Sequence, residues 1–161
     1  MPRDPLSALR SLHGPCKPGC LAKGCRRGNC ALGLPPRATV SVDCDRCRAF
    51  RASGKRPDFV VLHARAAAQT PRWLVVEIKQ GDVTDRRRVI EQLQEGAAKV
   101  ERHPSFRIPD GVPDLIPVLL CGGHIHTADL DVLRRQRLIA FRGRAIPIQV
   151  RRCGTRLAEL V

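Results

Sequence analysis

The sequence predicts an α/β fold in which a mixed sheet is flanked by helices. Short apolar runs of strand length alternate with stretches of helical period over residues 38–161, and this alternation is typical of α/β layers. Two of the apolar runs adjoin charged residues at positions that should be buried. The 161 residues suffice for one domain and a small appendage. We therefore expect a sheet-based domain, 38–161, preceded by a basic, cysteine-rich segment, 1–37.

Three strands are expected before the first long helix. The third run, Trp73-Leu74-Val75-Val76, is continuously apolar, which indicates a strand covered on both faces. Apolar residues then recur at helical spacing from Thr84 to His103. The expected strands are 38–42, 59–62, 73–79, 115–120, 138–141 and 146–150, the expected helices are 84–103 and 129–136, and 31–37 is expected to be a linker.

Charged residues stand at the ends of two expected strands. Asp58 precedes the second strand, and Glu77 and Lys79 end the third. Residues two apart on a strand project to the same face, so Glu77 and Lys79 should lie together, and Asp58 joins them if the strands pair. An exposed salt bridge on a solvated strand is the alternative. The apolar run before Glu77 favours a divalent-metal site with a lysine beside it.

Arg56-Pro57-Asp58 followed by a strand ending in Glu77-Ile78-Lys79 resembles the PD-(D/E)XK nuclease superfamily. The order strand, strand, helix, strand is also similar to the core of that superfamily, and the resemblance covers about residues 38–152. It implies a restriction-endonuclease-like sheet and a Mg²⁺ or Mn²⁺ ion held by Asp58, Glu77 and the carbonyl group of Ile78. It also implies that Lys79 orients or deprotonates the attacking water.

A glutamine on the expected helix extends this resemblance. RecB-type members of the superfamily place a glutamine near the metal, and Gln92 or Gln94 is similar to it. Gln92 is the residue that we assign to the catalytic set with Asp58, Glu77 and Lys79. Where those members carry an aromatic residue one turn later, this chain has Gly96.

The cysteines are concentrated near the start of the chain. Six of eight fall between residues 16 and 47, and this density in a chain that opens without a signal sequence indicates metal ligation. We expect four thiolates to hold structural zinc, and the alternatives are free or disulfide-bonded thiols and, less favoured, an iron–sulfur cluster. The candidates are Cys16, Cys20, Cys25, Cys30, Cys44 and Cys47, and the spacing leaves open which four bind. Cys121 and Cys153 are expected to be buried apolar residues.

The net charge of +14 indicates a polyanionic partner. Residues 1–56 carry twelve basic and three acidic side chains, which leaves +5 for the remainder. The five aromatic residues offer little for base stacking, so phosphate contacts should dominate. The expected phosphate-binding residues are Arg26, Arg27, Arg86, Arg87 and Arg88.

These observations predict a metal-dependent nucleic-acid phosphodiesterase, with DNA as the favoured substrate and an endonuclease or exonuclease as the activity. The alternative is a catalytically silent nuclease fold that binds nucleic acid and carries structural zinc. A homodimer or larger complex is expected if both strands are cut. No apolar run is long enough to cross a bilayer, so we expect a cytoplasmic protein.

Overall fold

A computed structural model describes residues 4–16, 19–52, 54–64, 70–108 and 114–160. Within these residues, the centre of the protein is a six-stranded sheet, accompanied by two short hairpins and three α-helices. The sheet strands are β1 (Leu21–Ala22), β4 (Thr39–Asp43), β5 (Phe59–His63), β6 (Arg72–Lys79), β7 (Asp114–Cys121) and β10 (Gln149–Arg152). The hairpins are β2 (Cys25–Arg27) with β3 (Cys30–Leu32) and β8 (Arg137–Phe141) with β9 (Arg144–Pro147). The helices are α1 (Pro5–His13), α2 (Arg86–Arg102) and α3 (Thr127–Arg135).

The sheet is mixed, as the sequence predicts. Its order is β1-β4-β5-β6-β7-β10. The pairs from β1 to β6 are antiparallel, whereas β6–β7 and β7–β10 are parallel. The carboxyl ends of β6, β7 and β10 therefore meet at one edge of the sheet, where Lys79, Cys121 and Arg152 stand in register.

Apolar cores cover both faces of the sheet. Along β6 the side chains alternate, with Trp73 and Val75 in the core beneath α1 and α2, and Leu74 and Val76 in the core on the opposite face. Residues 73–78 are all buried. The prediction that this strand is covered on both faces is confirmed, and it explains why its sequence does not alternate between apolar and polar residues.

Helix α2 lies close to the sheet because it carries a glycine where it crosses β6. A Cβ atom added at Gly96 would lie 2.4 Å from Cγ1 of Val75 and 2.7 Å from Cγ of Pro57. The helix begins after Asp85, whose side chain accepts a hydrogen bond from the Arg88 amide at 3.0 Å. This packing places one face of α2 over the carboxyl end of β6.

The segment 1–37 contains more regular structure than the sequence predicts. Helix α1 begins after Asp4, which caps the amides of Leu6 and Ser7, and β1 pairs with β4 of the central sheet. The expected linker at 31–37 is wrong at its start, because Cys30–Leu32 forms strand β3. The last expected strand divides into β9 and β10.

Candidate functional site

The pairing of β5 with β6 brings Asp58, Glu77 and Lys79 together. Phe59 lies opposite Val76, so one further step of this antiparallel register sets Asp58 beside Glu77. The Ile78 amide donates a hydrogen bond to Oδ2 of Asp58 at 2.7 Å. Nζ of Lys79 lies 2.6 Å from Oε1 of Glu77. The three predicted residues therefore form one polar cluster at the end of the buried strand.

Glu77 is a buried carboxyl group with one oxygen unsatisfied. The residue is 2% exposed, and its Oε2 atom has no hydrogen-bond partner among the residues that the structure describes. Burial raises the pKa of Glu77 to about 7, and the neighbouring charge of Asp58 acts in the same direction, while Lys79 opposes both. A buried oxygen of this kind is costly unless a cation or a proton compensates for it.

The two candidate glutamines have different environments. Oε1 of Gln92 accepts a hydrogen bond from Nζ of Lys79 at 3.4 Å, and its Nε2 donates to the Arg56 carbonyl at 3.1 Å. Gln94 instead exchanges two hydrogen bonds with the backbone of Ala140 in β8. Gln92 therefore belongs to the polar cluster, and Gln94 fastens the β8–β9 hairpin to α2.

Arg27 enters the cluster from the β2–β3 hairpin, a contact that the sequence did not predict. Its Nε donates to Oδ1 of Asp58 at 2.9 Å, and its Nη2 lies 2.9 Å from Asp43 and 3.2 Å from Asp45. The guanidinium also stacks 4.2 Å from the centre of the Phe59 ring. Any phosphate contact by Arg27 would compete with these partners.

The other predicted phosphate-binding arginines lie on the surface. Arg26 is exposed on the hairpin, and Arg88 is exposed in the first turn of α2. Arg86 pairs with Asp129 at 3.0 Å and Arg87 with Glu91 at 3.1 Å. Exposed pairs of this kind contribute little to stability, so both side chains remain available to a polyanion.

A basic cleft that the sequence did not predict follows the carboxyl ends of β7 and β10. Its volume is about 490 Å³, and Arg134, Arg151 and Arg152 are among the residues that line it. Arg152 is in register with Cys121, and Cys121 with Lys79. The cleft therefore lies at the same edge of the sheet as the polar cluster.

The cysteines have separate environments. His13, Cys16 and Cys20 form a group that could bind a metal ion such as zinc, because their ligand atoms lie within 4.8 Å of one another. Cys30 forms a disulfide with Cys153. Cys153 was expected to be a buried apolar residue, but it forms a disulfide instead. Cys121 is buried, as expected.

Comparison of the chain with protein-family models, with curated proteins and with solved structures finds no match. Among the described residues, no helix is both long and apolar enough to cross a membrane.

Proposed function

We propose that this protein is a metal-dependent nuclease with a site of the PD-(D/E)XK type. The observation that carries the proposal is the meeting of Asp58, Glu77 and Lys79 on paired strands, with Nζ of Lys79 2.6 Å from a glutamate that is almost fully buried. A salt bridge on a solvated strand would leave Glu77 exposed, whereas this carboxyl group is almost fully buried. Buried carboxyl groups with a raised pKa, as Glu77 has, are concentrated at functional sites, which supports the proposal.

The side chains of the cluster fit a hard divalent cation. Asp58 and Glu77 offer carboxylate oxygens, which Mg²⁺ and Mn²⁺ prefer, and the Ile78 carbonyl follows Glu77 directly in the sequence. Oε2 of Glu77 has no hydrogen-bond partner among the described residues. Each Asp58 oxygen accepts one hydrogen bond and has a second acceptor position for a metal. When bound, such an ion supplies a Lewis acid that activates water and stabilises charge on the phosphate.

Lys79 and Gln92 would supply the remaining catalytic functions. Lys79 holds its ammonium group beside Glu77, where it orients the attacking water and stabilises the developing negative charge on the phosphate. Gln92 accepts a hydrogen bond from Lys79 and donates one to the Arg56 carbonyl, so it keeps the ammonium in place. Gln92 is a positioning residue, and its loss should cost less than the loss of Lys79.

The surface charge favours a nucleic-acid substrate. The net charge is +14, and the cleft lined by Arg134, Arg151 and Arg152 opens at the edge where Lys79 lies. The planar guanidinium group of arginine can donate two parallel hydrogen bonds to the oxygens of one phosphate group. DNA is the favoured substrate, and a homodimer would allow both strands of a duplex to be cut.

A second metal ion, bound at a separate site, would stabilise the fold. We assign zinc, in preference to an iron–sulfur cluster, to the cysteine–histidine group near the start of the chain, since sulfur and imidazole ligands suit zinc.

Arg27 favours a second candidate function, a nuclease fold that binds nucleic acid without cutting it. The Arg27 guanidinium already supplies Asp58 with the positive charge that a metal ion would supply. In this second function, Glu77 and Lys79 would be a structural ion pair in which Glu77 is buried and Lys79 is partly exposed.

Cleavage of supercoiled plasmid DNA distinguishes the two functions. With Mg²⁺ or Mn²⁺ we expect nicking that a chelator abolishes. Asp58→Ala, Glu77→Ala and Lys79→Ala should each lower turnover by at least about 100-fold. Gln92→Ala should lower turnover by about 10-fold, and Gln94→Ala is its matched control on the same helix.

Two outcomes contradict the nuclease proposal. Full activity of Glu77→Ala would remove the site from consideration. Wild-type protein that binds DNA and RNA but cleaves neither with any divalent metal would establish the silent binding module.

A further inference from the structure

Three potential zinc ligands meet at the carboxyl end of α1, and a fourth contacts one of them. Ligand atoms of His13, Cys16 and Cys20 lie within 4.8 Å of one another. Cys47, from the turn after β4, places its Sγ 3.6 Å from Nδ1 of His13. Zinc–ligand bonds of about 2.3 Å to sulfur and about 2.1 Å to nitrogen at tetrahedral angles separate N and S by about 3.6 Å. The observed separation matches that value.

The second nitrogen of His13 has the partner that a metal-binding histidine requires. Nε2 lies 2.9 Å from the carbonyl oxygen of Ser105, and a carbonyl only accepts hydrogen bonds, so Nε2 carries the proton. The lone pair is then on Nδ1, which faces Cys47. Ligating histidines are typically held in this way, with the other ring nitrogen bonded to a carbonyl or carboxylate.

Burial raises the pKa of the Cys20 and Cys47 thiols, and the hydrogen bond with Cys20 raises the pKa of Cys16. The backbone amide of Arg48 donates toward the sulfur of Cys20, and that of Ala49 donates toward the sulfur of Cys47. The charge of Arg48 also acts on Cys16. These contacts offset part of the effect of burial, and a bound cation would offset more of it.

The remaining cysteines are directed elsewhere. Sγ of Cys44 points toward the Val42 carbonyl at 4.0 Å, although Cys44 and Cys47 have the spacing typical of a zinc-binding pair. Cys30 is in the disulfide with Cys153, and Cys25 belongs to the core on the opposite face of the sheet. Sγ of Cys121 lies 3.5 Å from each of two carbonyl oxygens.

We propose that His13, Cys16, Cys20 and Cys47 form a closed, tetrahedral zinc site with one nitrogen and three sulfur ligands. Protein side chains occupy all four coordination positions of the ion, so the ion is structural and does not act on substrate. It ties α1 to the turn after β4, and the hydrogen bond between His13 and the Ser105 carbonyl links these to the turn at Ser105. Three of its ligands, His13, Cys20 and Cys47, are at most 1% exposed, so the site lies inside the core.

The test is the metal content of the full chain and of single variants. Wild-type protein should contain about one zinc per chain. Cys16→Ser, Cys20→Ser and Cys47→Ser should each reduce zinc at least about tenfold after dialysis against a weak chelator. Cys121→Ser and Cys44→Ala should keep it. Cys121→Ser is the matched control, because it replaces a buried thiol whose contacts a hydroxyl group can retain.

Cobalt substitution tests the histidine in a protein that keeps four ligands. His13→Cys converts one nitrogen and three sulfurs into four sulfurs, so it should still bind metal and fold. The visible absorption of its cobalt(II) form should shift to longer wavelength and its sulfur-to-metal charge-transfer band should grow by about one third, as the thiolate count rises from three to four.

Several results would overturn the proposal. Loss of zinc from Cys44→Ala with retention in Cys47→Ser would assign the fourth ligand to Cys44. An unchanged cobalt spectrum in His13→Cys would remove His13 from the set. Brown protein with iron and sulfide, or wild-type protein without metal whose six unpaired thiols all react after unfolding, would exclude zinc. The test reads no activity, so it stands or falls independently of the nuclease proposal.

Discussion

Burying the carboxyl group of Glu77 inside the sheet costs folding free energy, and this cost depends on pH. Burial and the charge of Asp58 raise its pKa from 4.5 to about 7, against the opposing effect of Lys79. Between these two values the folded protein retains a proton that the unfolded chain releases. The contribution of this proton to stability is therefore complete below about pH 4.5 and is lost as the pH rises through about 7.

We predict that Glu77→Gln removes this pH dependence. With divalent metal chelated, the stability of the wild type relative to the variant should fall by up to about 3 kcal/mol between about pH 4.5 and about pH 8. The glutamine keeps the shape of the side chain and never ionises. Urea unfolding of both proteins across this range measures the difference. Parallel curves would mean that Glu77 is ionised throughout, and would contradict the raised pKa.

At the scale of single residues, the sequence predicted those side chains whose positions follow from strand geometry. Glu77 and Lys79 share a face because they are two apart on one strand, and Asp58 joins them through an ordinary antiparallel register. The contact of Arg27 with Asp58 and the contact of His13 with Cys47 were not predicted, because these partners lie 31 and 34 residues apart in the chain. Contacts between distant segments leave no periodic signal in the sequence.

At the scale of elements, long apolar runs and strong helical periods were predicted well, and short elements were not. The strands around Phe59, Trp73 and Leu115 and the helix from Arg86 lie where expected, within a few residues. Strands β1, β2 and β3 have two or three residues each, too few for a pattern. Helix α1 did carry a signal, Asp4 followed by Pro5, which is typical of a capped helix start.

Gly96 determines how closely α2 approaches β6, and therefore where Gln92 lies. Replacing Gly96 by alanine gains about 1 kcal/mol of helix propensity. The new methyl group would meet Val75 and Pro57 at distances that no real Cβ tolerates, and such overpacking costs about 1–3 kcal/mol. The free-energy cost of overpacking should exceed the gain in helix propensity, because α2 can relieve the contact only by moving away from the sheet.

We therefore predict that Gly96→Ala destabilises the protein and lowers turnover as well. Displacement of α2 weakens the hydrogen bond from Lys79 to Gln92, so a loss of about 10-fold in rate should accompany a lower urea midpoint. Gly24→Ala is the control, because its Cβ would meet nothing within 4 Å. A stabilised Gly96→Ala protein would show that the helix adapts without cost.

At the scale of the whole molecule, a segment near the start of the chain is bonded both to the polar cluster and to a residue near the end of the chain. The β2–β3 hairpin contacts Asp58 through Arg27 and is joined to Cys153 by the disulfide of Cys30, across 123 residues of sequence. Removal of the segment 1–37 would therefore take away part of the sheet and part of the polar cluster along with its seven basic side chains. Single charge substitutions are the better probe of where polyanions bind.

We predict that DNA binding depends steeply on salt and that its phosphate contacts lie at the edge of the sheet carrying Lys79. Arg88→Gln at the start of α2 and Arg134→Gln in the basic cleft should each reduce the slope of log affinity against log salt by about one. Arg37→Gln, an exposed arginine just before β4, is the control at the opposite edge. Fluorescence anisotropy in a chelator measures binding without cleavage. Equal effects of all three substitutions would indicate diffuse attraction by the net charge of +14, and an effect of Arg26→Gln alone would move the contact surface to the β2–β3 hairpin.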